Sequence, residues 1–91
     1  MYKIATTNKY KKDLKRIISK TRLIEDLEDV VFLLSADDTP LPKKYNDHAL
    51  QGNYAGYREC HIRPNWLLVY QKNKKDLILL LLRTGSHSDI F

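Results

Sequence analysis

This sequence predicts an α+β domain, with two N-terminal helices packed on one face of a mostly antiparallel four-stranded sheet in the order β-α-α-β-β-β. Three observations lead there. Apolar residues recur at helical spacing between Tyr10 and Leu34, strand patterning takes over from Tyr57 to Arg83, and 91 residues leave room for a single core. Helices and later strands are segregated along the chain, unlike the strict alternation that builds a parallel sheet. Residues 1–91 are therefore read as one domain with the second sheet face partly open.

Tyr2 to Thr6 opens as a short strand. Thr7 or Asn8 can cap a helix running to about Lys20, with Tyr10, Leu14, Ile17 and Ile18 facing inward. Its other faces carry Lys9, Lys11, Lys12, Lys15, Arg16 and Lys20, opposed only by Asp13, a pattern that usually marks a solvated surface. A second helix from about Leu23 to Leu34 repeats the spacing with Ile24, Leu27, Val30, Val31 and Leu34. Its early acids, Glu25, Asp26, Glu28 and Asp29, suit the positive end of a helix dipole. Pro40 and Pro42 then end helical structure, because each removes a backbone donor, and a surface loop leads to Tyr45.

From Tyr57 the period becomes two. Tyr57, Glu59, His61 and Arg63 point one way and Arg58, Cys60 and Ile62 the other, as in a strand with one polar face. Pro64-Asn65 interrupts it, and the fixed negative φ of proline excludes a type I′ hairpin, so a type I turn with a bulge or a longer loop is expected. Trp66 to Gln71 forms the next strand and Asn73 to Asp76 the next turn. Leu77 to Arg83 is apolar on both faces, as a central strand should be.

Composition narrows the function classes. The longest apolar run, Leu77 to Leu82, is far short of the roughly 18 residues a membrane helix needs, and the N-terminus lacks the apolar stretch of a signal peptide, so a cytoplasmic location with no membrane partner is expected. A single cysteine, Cys60, can form neither an internal disulfide nor a Cys-rich zinc site. Sixteen Lys and Arg against eleven Asp and Glu give a net charge of +5, which favours an anionic partner such as nucleic acid or an acidic protein.

His48, His61 and His87 lie in three different segments: the loop before the second strand, the polar face of that strand, and the tail after the last strand. Cleavage of RNA needs a base for the 2′-hydroxyl proton, an acid for the leaving 5′-oxygen and a cation for the phosphorane charge. Histidine titrates near neutrality and can serve as either acid or base, although a lone histidine is more often a surface or hydrogen-bonded residue. Arg83 ends the most apolar strand and is followed by Thr84-Gly85-Ser86, an arrangement suited to a phosphate clamp or to a guanidinium reaching into water. Tyr57, Trp66 and Phe91 can stack on unpaired bases or pack in the core. No pair of histidines has metal-site spacing, so no metal or cofactor is expected.

Three strings carry a resemblance: Asp47-His48-Ala49-Leu50; Arg58-Glu59-Cys60-His61-Ile62-Arg63-Pro64-Asn65-Trp66-Leu67-Leu68; and Arg83-Thr84-Gly85-Ser86-His87-Ser88-Asp89-Ile90-Phe91. They resemble the RelE superfamily of bacterial toxin ribonucleases, in particular its YafQ-type branch, whose members read D-H-x-L, R-E-C-H-I-x-P-D-W-L-L and R-x-G-S-H-S-D-L-F. The likeness is close over residues 41–91, while the helices agree in placement and charge.

The resemblance implies a small α+β ribonuclease that cleaves messenger RNA in the ribosomal A site and is held inactive by a cognate antitoxin. The family's active-site positions fall on His48, His61, Trp66, Arg83, His87 and Phe91. Where the family has aspartate before the tryptophan, this chain has Asn65, which cannot accept a proton at neutral pH. The expected roles are His87 as general acid, His48 or His61 as general base, Arg83 on the phosphate, and Trp66, Phe91 and Asn65 along the RNA. The acid and base labels are exchangeable. Lys11, Lys12 and Lys15 are expected to meet ribosomal RNA. A gyrase poison of the same fold and a non-catalytic ribosome- or RNA-binding module are the competing expectations.

Overall fold

The computed structural model describes residues 1–19 and 24–91. Its elements are β1 (Lys3–Thr6), α1 (Asn8–Ile18), α2 (Ile24–Ala36), β2 (His48–Ala49), β3 (Arg58–Arg63), β4 (Trp66–Asn73), β5 (Ile78–Gly85) and α3 (His87–Ile90). The expected end of the first helix at Lys20 and start of the second at Leu23 fall outside the described residues. The sheet runs β1-β5-β4-β3-β2, with β1 parallel to β5 and the other neighbours antiparallel.

Five strands replace the expected four. His48 and Ala49, read from sequence as loop, pair with Glu59 and Arg58 and form the short edge strand β2. Two residues are too few to show alternation. The tail after β5 is also not free: Ser86 accepts from the Asp89 N–H while the Asp89 carboxylate accepts from the Ser86 N–H, a capping box that starts α3.

Thr7 caps α1 by accepting from the Tyr10 N–H at 3.0 Å, and its hydroxyl donates to the Leu82 carbonyl at 2.7 Å, tying the helix start to β5. The inward stripe of α1 is centred on Tyr10, Leu14 and Ile17. Ile18, expected on that stripe, is 53% exposed, whereas Asp13, expected on the solvated surface, is 3% exposed. The apolar face is therefore rotated toward Asp13. On α2, Leu27, Val30 and Leu34 are buried as the spacing predicts.

The principal core lies between the helices and one sheet face, where Leu68, Tyr70 and Leu79 are almost fully buried. On the opposite face Leu67 and Val69 are covered by Ile90 of α3, with Tyr54 and Leu82 beside them. Pro64-Asn65 forms a two-residue turn with no positive φ, and the β3–β4 register shifts between His61 and Arg63, in keeping with the expected bulge. Leu77 takes a positive φ of 54° at the next turn, so β5 starts at Ile78. The β4–β5 register passes from Tyr70↔Leu81 to Val69↔Arg83, and this second bulge re-aims Arg83.

Candidate active site

The face lined by Leu67 and Val69 carries two groups of polar side chains. The first is built on β2 and β3. His48 is paired with Glu59 across the strands, and His61 follows two residues later on the same face. Glu59, 5% exposed, sits between the imidazoles: His48 Nε2 lies 3.8 Å from Oε2, His61 Nε2 lies 3.6 Å from Oε1, and the ring centroids are 6.4 Å apart.

His48 Nδ1 is 2.7 Å from the carbonyl of Asn46, so the hydrogen on Nδ1 is donated there and Nε2 is the nitrogen turned toward Glu59. Asn46 adopts a left-handed conformation, φ 45°, which asparagine accepts more readily than most residues. The preceding helical turn, Lys43–Tyr45, ends there. Asp47 anchors the other side of His48. It accepts from the buried Tyr70 hydroxyl at 2.6 Å and from Arg58 Nε and Nη2 at 3.3 Å each. Burial and the Asp47 carboxylate push the Tyr70 phenol well up, so it remains a donor.

The second group surrounds Arg83. Its Nε donates to Asp13 Oδ2 at 2.7 Å, and its Nη2 donates to Asp13 Oδ1 at 3.1 Å and to the Asp89 carbonyl at 3.3 Å. The hydrogen-bonded Asp13 carboxylate holds the Arg83 guanidinium above its ordinary pKa. His87 is the first residue of α3, exposed, with its ring 4.9 Å from that of Phe91. Phe91 in turn stands edge-on to Tyr54 at 5.0 Å, and 45% of it is exposed for stacking.

His61 is opposite Leu67, and Leu67 is opposite Gly85, two residues before His87. The two groups thus flank a strip two strand spacings wide, about 10 Å. A cleft of about 410 Å³ beside His61 is lined by Tyr45, Asn46, Arg63 and Pro64 together with Asp26 and Asp29 of α2.

Trp66 does not join either group. It is 9% exposed in the principal core, and its indole N–H donates to the Thr84 hydroxyl at 2.8 Å, which itself donates to the Leu67 carbonyl at 2.8 Å. The expectation that Trp66 stacks on RNA is corrected accordingly, because the side chain is buried in the principal core. Asn65 is exposed in the β3–β4 turn, and Lys11, Lys12 and Lys15 are exposed on α1. Tyr57 packs against the second apolar cluster.

Two residues were missed by sequence reasoning as parts of the site. Glu59 was visible as the polar neighbour of His61 at strand spacing. Asp13 had no signal beyond being the lone acid among lysines. Among the described residues, no group of three or more His, Cys, Asp or Glu is arranged to hold a metal ion.

Comparison with known proteins gives a match over residues 2–91 to the family described as bacterial toxin of type II toxin-antitoxin system, YafQ. The chain belongs to the YafQ family. The mRNA interferase toxin YafQ of Escherichia coli K12 is 36% identical over 88 residues, covering 97% of this chain and 94% of that one. Among solved YafQ-like structures, a metal-bound toxin from Helicobacter pylori superposes with a TM-score of 0.92 at 43% identity, each chain covered in full. YafQ in the E. coli DinJ-YafQ complex superposes with a TM-score of 0.89 at 33% identity, covering 100% of this chain and 99% of that one. The YafQ fold therefore extends over the whole described chain. Among the described residues, no helix is long and apolar enough to cross a membrane.

Proposed function

We propose that this protein is the toxin of a toxin-antitoxin pair and acts in the cytoplasm as a metal-independent mRNA interferase, cleaving messenger RNA in the ribosomal A site. The observation that carries this reading is the pair of groups, His48-Glu59-His61 and Arg83-His87-Phe91, facing one another across about 10 Å of one sheet face. An RNA strand laid between them meets a base on one side and an acid with a cation on the other. Either His48 or His61 takes the 2′-hydroxyl proton, and Glu59 orients both rings. The 2′-oxygen attacks the adjacent phosphorus while the bond to the 5′-oxygen breaks. Arg83 meets the charge on the phosphorane, and His87 protonates the departing 5′-oxygen. The products are a 2′,3′-cyclic phosphate and a 5′-hydroxyl. Phe91 supplies a stacking surface for a base.

A small open site with few groups to read bases depends on the ribosome to hold the message in line. Mapping of RNA ends in a translation reaction with added protein is expected to show cyclic phosphate at A-site positions, with naked messenger cut far more slowly. Equal cutting of both, or no new RNA ends, would refute the reading; cleavage of DNA in a gyrase reaction instead would establish the gyrase-poison alternative.

Lys11, Lys12 and Lys15 project from the exposed side of α1 and are read as contacts to ribosomal RNA, with a cognate antitoxin as the competing protein partner. Neutralising all three should weaken ribosome association and flatten its salt dependence, by up to about 0.9 in slope per lost phosphate contact by analogy with duplex DNA. Binding measured across a salt series tests this; unchanged affinity at every salt concentration would make the lysines a solvated face only.

Asn65 is exposed and supplies no charge, so the parent protein should be active without the family's aspartate. Asn65→Asp should change the single-turnover rate by less than about fivefold, equivalent to the roughly 1 kcal/mol of an exposed charge interaction. An inactive parent rescued by Asn65→Asp would show that the carboxylate itself is required.

A further inference from the structure

Asp13 is an unusual residue to bury. It lies on a lysine-rich helix, yet it is 3% exposed. A carboxylate withdrawn from water is costly unless its oxygens are satisfied, and here both are. Oδ2 accepts from Arg83 Nε at 2.7 Å and from the Thr84 backbone N–H at 3.2 Å. Oδ1 accepts from Arg83 Nη2 at 3.1 Å and from Arg16 Nη2 at 3.3 Å. The Asp89 carboxylate is also near, 3.8 Å from Arg16 Nη2.

A strand-end arginine serving only solubility would extend into water. The Arg83 side chain is instead 17% exposed and gripped along one edge. Nε and Nη2 are committed to Asp13, while Nη1 takes no part in that pairing. A guanidinium is planar and rigid, so fixing one edge fixes the direction of the other.

We propose that Asp13 is a positioning residue for RNA cleavage, holding Arg83 by one edge so that its Nη1 edge is set to receive the phosphate. The proposal rests on the reading of Arg83 as the phosphate ligand. Asp13 is buried and does not touch RNA; its effect is transmitted through Arg83. The benefit is preorganisation, because a cation already aimed at the developing charge needs no rearrangement during reaction. Thr84 strengthens the arrangement: its N–H binds the same carboxylate, so α1, the end of β5 and the guanidinium form one unit.

The test is a double-mutant cycle on ribosomes programmed with one short message, using the full chain. Asp13→Asn keeps the size of the side chain and one acceptor, but cannot receive both Arg83 donors on two carboxylate oxygens. It should lower the saturated rate by about 100-fold, the cost of misplacing a reacting group by about 1 Å, with little change in half-saturating concentration. In an Arg83→Lys background the same substitution should alter the rate by less than about twofold. Equal losses in both backgrounds would mean that Asp13 does not act through Arg83, and full activity of Asp13→Asn would overturn the proposal directly. Full activity of Arg83→Ala, which removes the cation altogether, would remove the phosphate-ligand reading on which the proposal stands. If thermal melting shows Asp13→Asn to be unfolded, Asp13→Glu, which retains the charge and displaces the guanidinium, enters the same cycle with the same two expected outcomes.

Discussion

His87→Ala is expected to slow cleavage of ribosome-bound message by about 100-fold or more, the usual contribution of general acid catalysis. Nothing in the core depends on this side chain. It is exposed at the start of α3, and its ring contact is with Phe91, itself 45% exposed. Thermal stability should therefore move by no more than about 0.5 kcal/mol, as for other exposed positions. Ribosome affinity should also persist, because the basic residues assigned to it lie on α1. The acid role has a specific signature: a substrate with sulfur in place of the leaving 5′-oxygen needs little protonation. The parent and His87→Ala should cut that substrate at similar rates. A deficit of equal size on both substrates would assign His87 to positioning, and a matching loss of ribosome affinity would assign it to binding.

Trp66→Ala should destabilise the fold by about 3–5 kcal/mol, the range for removing a buried Trp or Phe. That is a large share of the roughly 5–15 kcal/mol that holds a domain together, so much of the protein should be unfolded at 37 °C. The large effect follows from two losses. The indole fills the principal core, and its N–H satisfies the Thr84 hydroxyl at 2.8 Å. Trp66→Phe separates them, since it keeps most of the packing and removes the donor. Its cost should be near 1 kcal/mol, the net value of a hydrogen bond. Urea titration in a His87→Ala background, which reduces toxicity, measures both. A Trp66→Ala protein as stable as its parent but unable to hold message would restore the RNA-stacking assignment.

Residues were legible in the sequence where a long periodic pattern carried them. Leu27, Val30 and Leu34 could be placed in the core from spacing alone, and the alternation from Arg58 to Ile62 correctly separated Glu59 and His61 from Cys60 and Ile62. Short features were not legible. The two residues of β2 and the four of α3 lie below the length at which periodicity can be recognised. The site was half legible for a different reason. Histidines and Arg83 announce themselves by chemistry, whereas the partners that orient them depend on tertiary contact. Asp13 and Arg83 are 70 positions apart, and no local pattern connects them. Trp66 failed in the other direction: an aromatic residue at a strand start is equally suited to stacking on a base and to filling a core, and its burial in the principal core, with the hydrogen bond to Thr84, distinguishes them.

The pairing of the first strand with the last has a consequence for how the toxin is made. Lys3 to Thr6 find their partners at Ile78 to Leu81, so β1 has no neighbour until β5 has been synthesised. Arg83 and His87 come later still. Closing a loop of this length is entropically slow, and contacts so distant in sequence form late in folding. A nascent chain, or any product terminated before Ile78, lacks both the closed sheet and half of the proposed catalytic apparatus. Nonsense fragments of the gene that end before Ile78 should therefore lack the proposed activity and be harmless without any antitoxin.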